Sequence, residues 1–258
     1  MVNGSQIDLK AVPRSIIYKC SVCAGSFVLV LVMSAAGFIA TGQNTQDLHQ
    51  KLARDDKKMT SFTREEIVRR AAKFGNPILT TLEKPETAVE QLKTDFLTNG
   101  AIYRVTARPP DRPRTYFLGA WGTDGLELLN NEPEHFFDLA AKSGLAFRSA
   151  NDYVSYVTTF LDATRDFTGS IQVLNTIGEA WWLPSPSPEE ARKQEEVIAK
   201  YANIVEGPKI SSDSAKTVVI YLIRDRALIR IRGKVDSSGR IEFSEEVLEP
   251  EMPTVMIR

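Results

Sequence analysis

Cysteine and histidine are nearly missing from this chain of 258 residues, and their scarcity removes whole classes of chemistry. Cys20 and Cys23 are the only cysteines. Everything after residue 23 therefore lacks disulfides, thiolate nucleophiles and cysteine-ligated zinc, which excludes a small disulfide-stapled secreted fold. His49 and His135 are the only histidines, too few for a multi-histidine metal site within one chain. The phosphate loop GxxxxGK[ST], the dinucleotide fingerprint GxGxxG, the nucleophile elbow GxSxG and the zinc helix HExxH are also missing. No cofactor and no metal are expected. An excess of one charge is lacking too. The first 40 residues hold three of the 32 basic and one of the 33 acidic residues, leaving 29 against 32 for the rest. Nucleic-acid binders usually show a basic excess, so no nucleic-acid partner is expected.

What the chain does have is a run of 21 residues, Cys20 to Ala40, without a charged side chain. About 20 mostly apolar residues in a helix, at about 1.5 Å each, cross roughly 30 Å of hydrocarbon. The run reads as a single transmembrane helix, retained as a signal-anchor. The rival is a cleaved signal peptide of a secreted protein, with Arg14 and Lys19 as its basic region, Phe27 to Met33 as its apolar core and Ser34-Ala35-Ala36 at the cut. The run outlasts the roughly 7 to 15 residues of a signal core, and 19 residues precede it. Lys19 abuts one end, whereas the first basic residue beyond the other end is Lys51, close to Asp47, Asp55 and Asp56. Basic flanks are retained inside, which places the N-terminus in the cytoplasm and the C-terminal domain outside it. The expected organisation is a cytoplasmic tail over 1–19, a span over 20–40, a stalk or linker over 41–60 and a soluble α+β domain over 61–258. The bilayer is the first expected partner, through residues 20–40.

The chain as a whole is 43% hydrophobic and 25% charged, a background that suits an ordinary folded core after the span. Thr63 and Glu66 have capping-box spacing before Ile67, Val68, Ala71 and Ala72, so a helix is expected there, stopped by Gly75 and Pro77. A second helix is expected after Pro85, with Ala88, Val89, Leu92 and Phe96 on one face and Asn99-Gly100 as its end. Alternation over Ile102 to Ala107 and the run Thr115 to Trp121 read as hairpin partners around RPPDRPR. Asp124-Gly125 marks a turn, and helices follow over Glu132 to Lys142 and Asn151 to Thr164. Ser170 to Leu174 reads as a strand and Glu179 to Leu183 as a strand or extended segment. Alternate prolines at Pro184, Pro186 and Pro188 impose an extended path, ended where Glu189 and Glu190 begin a polar helix reaching about Asn203. Thr217 to Ile223, Ala227 to Val235 and Arg240 to Phe243 then form an antiparallel meander across short turns. The order argues for one antiparallel sheet with helices on one face. A doubly wound parallel sheet fits worse, because the last turns are too short for crossovers.

Four groups of residues are candidates for function. His135 lies in Glu132-Pro133-Glu134-His135-Phe136-Phe137-Asp138, where Asp138 at i+3 could orient the ring for general acid/base work; a surface helix start explains the same residues. Arg104, Arg108, Arg112 and Arg114 surround a proline-rich tip that could touch lipid headgroups or an acidic partner, or merely blunt a sheet edge. Arg230, Arg232 and Lys234 share one strand face, either as a basic groove or as a solvent surface paired with acids such as Glu242. Tyr116, Phe117, Trp121, Trp181 and Trp182 form an aromatic set, and the adjacent tryptophans must point to opposite faces, one to a core and one to other cover or a partner.

In layout, with its short cytoplasmic tail, one span and helix-backed sheet outside, the chain resembles the inner-membrane assembly subunits of secretion systems. That resemblance implies a cystatin- or nuclear-transport-factor-2-like (NTF2-like) soluble fold and a protein partner at the membrane, with no residues matched. The expected function is a membrane-tethered, non-enzymatic interaction or assembly domain. The alternative is a tethered ligand-binding or hydrolytic domain with an aromatic-lined pocket between sheet and helices, using His135, Asp138, Asp162 or Arg165 as polar groups. Partner identity and oligomeric state are not legible.

Overall fold

Thr63 and Glu66 form the capping box their spacing implies: the Thr63 amide donates to Glu66 Oε2 at 2.7 Å and the Glu66 amide to Thr63 Oγ1 at 3.3 Å. They open α1 (Arg64–Ala72) in a computed structural model that describes residues 61–72, 78–107, 114–167 and 171–255. The chain divides into two units, Met1–Leu52 and Ala53–Arg258. The first unit, and with it the expected span over 20–40, lies outside the described residues, as do Gly75 and Pro77. Among the described residues no helix is long and apolar enough to cross a membrane.

After α1 come α2 (Ile78–Leu82), β1 (Ala88–Gln91), β2 (Gly100–Ala107), β3 (Arg114–Trp121), β4 (Gly125–Leu128), α3 (Pro133–Ser143) and α4 (Ala150–Ala163). Then follow β5 (Ile171–Val173), a 3-10 turn (Ile177–Glu179), α5 (Pro188–Tyr201), β6 (Lys209–Ser211), β7 (Ser214–Arg224), β8 (Ala227–Val235) and β9 (Ile241–Glu249). The domain is α+β, and among the described residues every strand pair is antiparallel. Sheet 1 runs β1-β2-β3-β4, and sheet 2 runs β5-β7-β8-β9 with β6 also on β7.

Two expectations are corrected. Among the described residues there are two sheets rather than one, and each carries helices on both faces, with the outer face of β8 and β9 left largely open beyond α5. Alternation explains the layering: Ile102 of β2 and Phe117 of β3 point into one core, while Ala101, Tyr103, Val105, Leu118 and Ala120 point into another with α1 and α2. In β7, Val218, Ile220 and Leu222 face α4, while Val219, Tyr221 and Ile223 face α5. The layers are thus α1 and α2, sheet 1, α3 and α4, sheet 2, then α5. The unbroken apolar run Val218 to Ile223 carries this signal, because a strand buried on both faces loses its polar alternation. The helix expected after Pro85 is also replaced. Ala88–Gln91 pairs with Tyr103–Thr106 as β1, and Leu92 extends the ladder through its amide to the Ile102 carbonyl at 2.8 Å. Phe96, expected on the apolar face, is buried, but from an irregular segment in which Leu97 is buried beside it.

Aromatic rings hold the middle layer together. Phe136 of α3 meets Tyr156 and Phe160 of α4 at 5.3 and 5.2 Å, and Phe160 stacks on Phe243 of β9 at 5.4 Å. Burial pushes the Tyr156 hydroxyl well above the usual tyrosine range, and it donates to the Gly239 carbonyl at 2.6 Å. Gly239 has φ +87° in the β8–β9 turn, and a side chain there would strike Leu145.

Candidate functional site

A cleft of about 400 Å³ lies where β2, α4 and β5 come together, bordered by Leu92, Lys93, Arg104, Thr159, Asp162 and Ile171, among others. Arg104 reaches the cleft because β2 alternation puts it on the same face as Ile102. Its guanidinium donates to Asp162 Oδ2 at 3.0 Å and lies 3.5 Å from Glu90 Oε2. Arg165 Nε donates to Asp162 Oδ1 at 3.0 Å. The two guanidiniums also lie 5.7 and 5.6 Å from the Phe117 ring centre. Asp162 and Arg165, both named from the sequence as polar groups of a pocket, therefore meet at its wall. What they form is a carboxylate shared between two arginines. The aromatic lining expected of that pocket is not there: aliphatic Leu92, Ile171 and Val173 form the apolar wall, and Phe117 lies buried behind the arginines.

His135 and Asp138 take different partners. His135 Nδ1 lies 2.8 Å from the Leu128 carbonyl, a group that only accepts, so the proton of the neutral ring sits on Nδ1. Asp138 lies 3.8 Å from Lys142 one turn on, in an exposed pair. The pairing of Asp138 with the histidine ring that the i+3 spacing allows is not the one found.

The two arginines of the β8 stripe have acidic partners, and its lysine faces an acid in register. Arg230 pairs with Glu246, Arg232 lies 3.9 Å from Asp213, and Lys234 is in register with Glu242. The hydrogen bond from Arg230 to Glu246 holds its guanidinium above the usual arginine value. Arg114 is exposed at the start of β3, and Arg108 and Arg112 lie outside the described residues.

Of the tryptophans, Trp121 lies on the inner face of sheet 1 with Lys142 4.6 Å above its ring and Gly125 directly across the ladder. A side chain at Gly125 would overlap that ring. Trp181 and Trp182 part as an extended pair must. Trp182 bridges Thr254 and packs on the α5 core, while Trp181 stays 41% exposed beside Val255, whose amide donates to the Trp181 carbonyl at 2.7 Å.

Two groups went unread in the sequence. Arg70 is buried, with Nη1 and Nη2 donating to the carbonyls of Trp121, Gly125 and Gly122 at 3.2, 2.9 and 2.9 Å, so α1 grips the β3–β4 turn. Burial lowers its guanidinium from the usual value. Its signal was a basic residue at i+3 from Ile67, inside the apolar stripe. Glu249 is buried at the end of β9, bonded to Lys193 at 2.6 Å and Lys200 at 3.2 Å, and the Lys193 bond holds its carboxyl below the usual range. Nothing in local spacing marks it, because its partners lie on α5.

Comparison with family models, curated proteins and solved structures finds no match to this chain.

Proposed function

We propose that this protein is a single-pass membrane protein whose apolar run over 20–40 tethers a non-enzymatic interaction or assembly domain to the outer face of the membrane. The observation that carries the reading is the 21-residue uncharged run, followed by a five-layer α+β unit. Tethering confines such a domain near one surface and raises its effective concentration for a neighbour. Three features of the domain support it. The candidate acid/base pair is committed elsewhere, His135 to a main-chain carbonyl and Asp138 to Lys142. Within the basic stripe, Arg230 is paired with Glu246 of the neighbouring strand and Arg232 lies 3.9 Å from Asp213. Trp181 and Val255 place exposed apolar surface side by side at the C-terminal edge of the described chain. The layout shared with secretion-system assembly subunits supports the reading only through the tail, the span and the outer domain. The NTF2-like part of that resemblance is not carried forward, since two sheets are stacked here.

A photoreactive residue in place of Trp181 in intact membranes tests the interaction. The reading expects a discrete adduct that disappears when the crosslinker is moved to exposed Glu195 on α5; uniform smearing from both positions, or no adduct, contradicts it.

A further inference from the structure

Sheet 2 ends in a long open edge. β9 spans Ile241–Glu249, and β8 is its only strand neighbour among the described residues. The β8–β9 turn fixes which groups are open. The Asp236 amide donates to the Arg240 carbonyl at 2.9 Å, so 236/240 is a hydrogen-bonded pair, and such pairs alternate along an antiparallel ladder. Glu242, Ser244 and Glu246 therefore bond across to β8, while Ile241, Phe243, Glu245 and Val247 turn their N–H and C=O groups away from it. No proline interrupts β9, and its one register irregularity lies at the Glu249 end. Val247 is 58% exposed, and no other large apolar residue within a strand is comparably open among the described residues.

The charge on this edge selects its occupant. Edges are usually guarded with lysine, yet every charged residue of β9 is a glutamate. Glu242 makes no ion pair among the described residues, and Glu246 meets Arg230 through one oxygen only. A second copy of β9 is disfavoured. In each of the three antiparallel registers with greatest overlap, glutamates oppose each other: Glu245 or Glu246 meets its own counterpart, or Glu242 meets Glu246. A strand with basic residues on one face and apolar residues on the other suits both faces, because Glu245, which shares the face of Phe243 and Val247, is already held by Arg224. Its cations would stand beside Glu242 and Glu246, and its apolar side chains beside Phe243 and Val247. The protein already contains such a strand. β8, with Arg230, Arg232 and Lys234 on one face and Ile229 and Ile231 on the other, occupies the opposite edge of β9.

We infer that the β9 edge accepts an extended basic-apolar strand from a partner protein as an added strand of sheet 2. The inference rests on the interaction-domain reading, but its test needs no membrane partner, so the two can fail separately. The probe is a labelled peptide with the β8 sequence, ALIRIRGKV, titrated onto the full chain in detergent micelles and read by fluorescence anisotropy. Saturable binding is expected, at least tenfold weaker for a peptide with glutamate at its three basic positions. Glu242→Lys, which breaks no ion pair of the fold, is expected to weaken binding at least tenfold. Val247→Pro, which removes an outward amide that β8 does not use, is expected to abolish it with the melting temperature within a few degrees of the parent. Amide exchange at Phe243, Glu245 and Val247 should slow on binding. Absence of binding, equal binding of the two peptides, or binding unchanged in both variants overturns the proposal. Self-association lost in Val247→Pro would overturn it in favour of a second copy.

Discussion

Arg70 does at one residue what a turn sequence would otherwise have to do. Its two terminal nitrogens hold three carbonyls of the β3–β4 turn, and its guanidinium lies 3.8 Å from the Phe62 ring centre. Removing it empties a buried site and leaves three part-buried carbonyls without these donors, so Arg70→Ala should cost about 2–4 kcal/mol in denaturant unfolding. Arg70→Lys should restore little, since an ammonium point charge cannot span the same fork. Glu249 gives a pH-dependent counterpart. Its carboxyl is held below the ordinary value of 4.5 in the folded state, so its contribution is fully present above that value and fades as pH falls through the lowered one. Glu249→Gln should therefore destabilise by about 1–3 kcal/mol at pH 7. Measured by urea midpoints, the gap to the parent should narrow in the acid range; a gap constant with pH would assign the effect to packing instead.

At the scale of elements, helix starts and the final meander were the most legible parts of the chain, for a physical reason. A capping box and a strand-turn-strand run are local, so their residues specify them without help. α5 illustrates this: the Ser187 side chain accepts from the Glu190 amide at 3.3 Å, and Glu190 reaches back to the Ser187 amide at 2.8 Å. The sequence reading assigned this start to the acids alone, whereas the serine completes the box. Ser187→Ala should cost about 1 kcal/mol, read as a lower urea midpoint with the slope unchanged. β1 was missed because Ala88, Val89, Leu92 and Phe96 happen to recur at helical spacing, while only the first two belong to the strand. β4 was missed because four residues, Gly125–Leu128, show too little alternation to register, and the pairing with Leu118–Trp121 defines them. The turn between β7 and β8 is another element no spacing announced in detail. Asp225 and Arg226 both have positive φ, and Arg226 is retained there by bonds from its Nε to the Met252 carbonyl and from the Met252 amide to its own carbonyl, at 3.0 and 2.7 Å. Arg226→Ala keeps the strained backbone and loses the first bond, so amide exchange in Met252–Val255 should quicken.

At the scale of the whole molecule, alternation tells which side chains share a face but not which sheet the face belongs to. Stacking two sheets around α3 and α4 is set by long-range contacts such as Phe160 with Phe243 and Ile102 with the α4 core, which no window of sequence contains. The candidate site was legible to the same limited degree. Asp162 and Arg165 were singled out and do meet, but Arg104 and Glu90 arrive from sheet 1 and turn the pair into a cross-layer ion cluster. The membrane reading is the reverse case: it comes from the uncharged run alone, with no contribution from the domain's architecture. Its most direct test is the intact mass of the chain recovered from carbonate-washed membranes of producing cells. A chain that still carries residues 20–40 is expected in the washed membrane fraction. Recovery of a shorter chain, cut near Ser34 to Ala36, in the soluble fraction would contradict it.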